Sequence, residues 1–251
     1  MRLAPVDAVG PKLLDFSSSD DVREMMPGST ITAVGTDYDG VTANVANWGL
    51  AEIVYVGYTG AALLPPGSLV VLDKNFRISL TAASEANSGR PVHVALSTFQ
   101  IGSTTEQFGW VLREGICPVA YSVAATAGPV YGGTSGKATP TAAAGVQILN
   151  ARCLIAGAAT FTKNGVLRVG SSVVKLPNVA GVFVGQAISG TGIPASSVVS
   201  SIDPNGTWIT IGSAVGTPVT ATAGGNQTLT FTNTGFGIVQ LDRATFQSQI
   251  T

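Results

Sequence analysis

Charge is what this sequence has least of. Only 11% of its 251 residues are charged, against roughly 25% in an ordinary soluble domain. Lys and Arg number 13 and Asp and Glu 14, for a net charge of −1. That leaves no basic excess to hold a phosphate backbone, and no basic run is interleaved with aromatics, so no direct nucleic-acid partner is expected. No apolar run approaches the roughly 20 residues of a membrane helix, so no membrane partner is expected either. The opening MRLAPVDAVGPKLLDF carries an early Arg2 but no continuous apolar stretch, and is not expected to act as a signal peptide. Synthesis in a cytoplasm follows as the expectation.

Histidine occurs once and cysteine twice. With His93 alone, zinc sites that need two histidines are excluded. A Ser-His-Asp triad would have to use His93, and no G-x-S-x-G elbow accompanies it. Lying between apolar residues in PVHVALS, His93 reads as a core or interface residue. Cys117 in GICPVA and Cys153 in ARCLIA read as small core residues. A bridge between them stays open, because spacing alone does not fix Cα separation.

The remaining chemical motifs fail on inspection. GGTSGKAT at 132–139 resembles a phosphate loop, but Tyr131 and Ala138 stand where Gly and Ser or Thr are needed. GTGIPA at 190–195 lacks the third Gly and the βαβ context of a dinucleotide site. Asp37-Tyr38-Asp39-Gly40 could open a calcium loop, yet the later ligands, notably a bidentate Glu, are missing. Glu52, Asp73, Glu106 and Glu114 are candidate acids for glycoside hydrolysis without local support. The expectation is therefore no catalytic residue, no metal ligand and no cofactor.

What is abundant is Gly, Ala, Thr, Val and Ser. A surface coated by small side chains and hydroxyls has little charge repulsion between copies, which suits burial against neighbours. Residues 1–29 are broken by Pro5, Gly10, Pro11, Pro27 and Gly28 and read as an extended N-terminal arm. Within it SSDDVREMM could form one or two helical turns. GLAEIV and TAAAGVQILNAR are the other helical hints. From Ile31 onward, runs rich in Val, Ile, Thr and aromatics alternate with turn residues. Pro65–Gly67 and Asp73–Asn75 carry tight-turn chemistry, while 122–145, rich in Ala, Gly, Thr and Pro, reads as loop and edge strand.

The texture changes at about Thr162, where the charged residues thin to Lys163, Arg168, Lys175 and Asp203 as far as 234. Asn164-Gly165 is a hairpin signal, and Asp203-Pro204-Asn205-Gly206 and Gly224-Gly225-Asn226 are further turns. GFGIVQLDRATF then returns to the earlier strand pattern. The expected fold is all-β: a compact β-sandwich or barrel of residues 30–161 plus 235–251, carrying an inserted small β-sandwich module at 162–234. Phe108, Trp110 and Tyr121 in the first domain and Trp208 in GTWITI, the expected anchor of the second, are candidate core or interface aromatics, with core as the default.

FGWVLREGICPVAYSVAATAGPVYGGTSGKATPTAAAGVQILNARCLIA, with the later GIVQLDRATFQSQ, resembles bacteriophage head decoration (capsid cement) proteins. Gly109, Trp110, Gly115, Ala151, Arg152, Leu241, Asp242 and Arg243 stand at the matching points, and the intervening module is similar to short β modules of phage structural and tail proteins. The resemblance implies a non-enzymatic virion protein on the capsid exterior, a homotrimer whose partner is the major capsid protein. An alternative is a phage fibre or receptor-binding component whose 162–234 module contacts a host glycan. That alternative needs an exposed aromatic on the module, and the candidate, Trp208, is expected in its core.

Overall fold

A computed structural model describes residues 2–5, 25–36, 47–60, 63–99, 106–155, 160–179, 181–203, 207–232 and 235–248. Of the expected helical stretch 18–26 only Met25 and Met26 are described, and they are not helical; the Asp37–Gly40 loop and most of the arm lie outside the described residues. The fold is all-β, and the described residues include one short 3-10 turn, Ala83–Glu85. GLAEIV and the QILNAR part of TAAAGVQILNAR lie in strands.

Ten strands come first: β1 (Arg2–Pro5), β2 (Thr30–Thr36), β3 (Asn47–Tyr58), β4 (Leu69–Leu72), β5 (Ile78–Leu80), β6 (Val92–Ala95), β7 (Gln107–Ala120), β8 (Gly128–Gly132), β9 (Ala138–Thr139) and β10 (Gln147–Ile155). Seven more follow: β11 (Thr160–Leu167), β12 (Val173–Lys175), β13 (Ala187–Gly190), β14 (Val198–Ile202), β15 (Trp208–Ala214), β16 (Thr217–Pro218) and β17 (Gly225–Thr232). The last, β18 (Phe236–Phe246), pairs with β10 and β7. The chain divides into two compact units, the smaller built on Ala158–Thr234 and the larger on the segments that flank it. Chain continuity in the larger unit is thus interrupted between β10 and β18, two strands that lie side by side.

The larger unit is one sheet in the order β1-β2-β3-β7-β18-β10-β8-β9, with β6 also on β7 and β4 and β5 beyond it. Its central strands are buried on both faces. Val54, Val56, Tyr58, Phe99 and Val111 form part of one cluster, while Ile53, Tyr55, Trp110 and Leu112, the residues that alternate with them, are also buried. This explains why β3 and β7 read as near-continuous apolar runs. The sheet bends where left-handed residues break its ladders. Asn150 (φ 57°) and Arg243 (φ 46°) lie on facing strands, at the register shift between Leu149 and Ala151, and such bulges increase local twist. A parallel bridge from Tyr121 to Ala138 brings the end of β7 back to β9. The expected turns are present: the Ser68 N–H donates to the Pro65 carbonyl at 3.3 Å and the Phe76 N–H to that of Asp73 at 3.1 Å. The Asp73 carboxylate also accepts from the Asn75 and Arg77 amides at 2.7 and 2.8 Å.

The smaller unit closes on itself. β11 pairs with β17, β17 with β13, β13 with β14, β14 with β15, β15 with β12 and β12 with β11, all antiparallel. The result is a six-stranded barrel rather than the expected sandwich, with β16 as a short addition on β15. Closure comes from β12, whose three residues pair with β15 while Lys175 also pairs with Val166 on β11. Inward residues alternate with hydroxyl-bearing ones: Leu229 and Phe231 are fully buried, while Thr228 is exposed and Thr230 and Thr232 are part-buried. Phe161 stacks on Phe231 at 5.3 Å. Asn164-Gly165 is not a hairpin turn, because both residues sit inside β11 opposite Thr228 and Gln227. A Cβ on buried Gly165 would meet Leu229 Cδ1 at 2.5 Å and Val174 Cγ1 at 3.1 Å. Close packing across a narrow barrel, rather than turn geometry, requires this glycine.

Candidate functional site

In the larger unit the expected aromatics are packing residues. Phe108, Trp110 and Tyr121 are all buried. Antiparallel register sets Trp110 opposite Tyr55, and their rings meet edge-on at 5.1 Å while Phe108 stacks on Tyr55 at 6.0 Å. Tyr121 lies against Gly237, where a Cβ would come within 2.9 Å of the Tyr121 ring, Ala125 and Cys153 Sγ. Burial, with Cys153 beside it, pushes the Tyr121 phenol up.

The strand register also settles the cysteines. Cys117 and Cys153 both pair with Val239, from opposite sides. Two interstrand spacings put their Cα atoms about 10 Å apart, beyond disulfide reach. Neither cysteine is disulfide-bonded and both are buried, and burial pushes the Cys117 thiol up. His93, on β6, is also buried, and its Nδ1 has no partner. Burial, with the Arg113 guanidinium adding to it, lowers its pKa to about 4.

Of the four candidate acids, only two come together. Glu52 on β3 lies directly opposite Glu114 on β7, an arrangement that repels unless neutralised. Arg113 reaches Glu52 at 3.2 Å, and Arg243 bridges Glu52 at 3.2 Å and Glu114 at 3.4 Å. The left-handed bulge at Arg243 places it there, a clamp that no local motif announces. Glu106 pairs instead with Arg77 at 2.7 Å, beside an open cleft of about 270 Å³ lined also by Pro27, Asn75 and Phe108. The Arg77 amide, then that of Asn75, holds the turn-forming Asp73 carboxyl below its usual range. Among the described residues no three His, Cys, Asp or Glu side chains gather as a metal site.

Trp208 departs from its default core reading and leaves the interface alternative. It is 41% exposed, not a core anchor. Strand alternation is the reason: Ile209 and Ile211 turn inward and are buried, so Trp208 and Thr210 turn outward. The WITI pattern carries that signal, since two Ile at a spacing of two claim the core side. Lys175 lies opposite Trp208 across the β12–β15 ladder, and its Nζ sits 5.4 Å from the indole centroid, a cation–π contact. On the other side Lys175 faces Val166. The barrel exterior thus presents a row across three strands, Val166, Lys175 and Trp208, with Val173 two residues away on the same side of β12. The chain matches no known family model, no curated protein and no solved structure. Function must therefore be argued from surfaces such as this one.

Proposed function

We propose that this protein is a non-enzymatic structural component of a phage virion, one that binds the outside of an assembled capsid, as a homotrimer on the major capsid protein, and stabilises it. The observation that carries this reading is the character of the surface. In a chain with so few charges, Met26, Leu50, Val123, Leu149, Leu154, Val166, Val169 and Trp208 are all at least 39% exposed. Scattered over both units, they suit repeated contacts with identical neighbours in a symmetric shell. A protein that binds only the expanded shell stabilises that state by mass action. The test is to add the purified protein to emptied, expanded heads lacking it and then heat them. Saturable binding at a fixed ratio to the shell protein, with a higher disruption temperature, is expected. Failure to bind the shell would sink the proposal.

One observation favours a second reading, a fibre or receptor-binding component that contacts a host glycan through the smaller unit. It is the exposure of Trp208, the feature that this reading requires.

A further inference from the structure

We draw no further inference here: the strongest candidate, the outward patch of the smaller unit's barrel where Trp208 pairs with Lys175 on one side and faces Asp203 on the other, sets one cation and one anion about a partly exposed indole, so its charge selects no class of ligand and nothing in the structure shows what covers it.

Discussion

His93 ties the stability of the larger unit to pH. Its strand neighbours place it in a closed setting: Val70 on β4 is opposite on one side, and one register step beyond the Val94–Leu112 pair, Arg113 on β7 is opposite on the other. Charging the ring there removes an ion from water and sets it beside a guanidinium, which is why its pKa falls from 6.5 to about 4. The folded pKa lies below the unfolded one, so the unfolded chain takes up the proton first. The neutral ring's contribution is complete above about pH 6.5 and is lost as pH falls toward 4. At 1.36 kcal/mol per unit, the loss is about 2 kcal/mol between pH 7 and pH 5, and about 3 kcal/mol by pH 4. The upper window isolates the effect, because ordinary carboxyl groups titrate near or below about 4.3 and His93 is the chain's one histidine. Urea unfolding of wild type and His93→Leu at pH 7 and pH 5 measures it. Wild type should lose about 2 kcal/mol over that window and His93→Leu only a few tenths. Equal losses in the two proteins would refute the argument.

Two further outcomes follow from close packing. Gly165→Ala puts a methyl group against Leu229, Leu176 and Val174, and should cost about 1–3 kcal/mol by overpacking in thermal or urea unfolding; Asn164→Ala, one residue away on the exposed face, should cost under about 1 kcal/mol. Cys117 and Cys153, held on either side of Val239, should remain unreactive to a thiol reagent until the chain unfolds and should form no intramolecular bridge under oxidants. Rapid labelling of the native protein or a bridged product by mass spectrometry would contradict that placement.

The fold class was legible because strand signals are local. Alternation in AEIVYVGY, the Pro65–Gly67 turn and the return of strand texture at GFGIVQLDRATF each depend on residues near in sequence. What failed depended on partners distant in sequence. Asn164-Gly165 has the composition of a hairpin turn, yet its glycine serves a close approach to Leu229, a residue far along the chain. A sandwich and a barrel of short strands share one pattern, and only the double pairing of β12 separates them. The Arg243 clamp on Glu52 and Glu114 joins three strands through a left-handed residue that no composition reveals.

Trp208 is the instructive case, because the local signal was present and a general rule outweighed it. Aromatics bury large areas, so a tryptophan in a chain poor in aromatics is expected inside. Alternation within WITI argues the reverse, since the two isoleucines already fill that side of a narrow barrel. The interior of six short strands takes Val, Ile, Leu and two stacked phenylalanine rings; an indole between Ile209 and its neighbours would need room that Gly165 shows is absent. The core thus excludes its largest side chain, and the same exclusion leaves the indole outside beside Lys175. The feature that distinguishes the two functional readings is in this sense a consequence of barrel size, which is why substitution of Trp208 should leave the fold intact while changing what its surface binds.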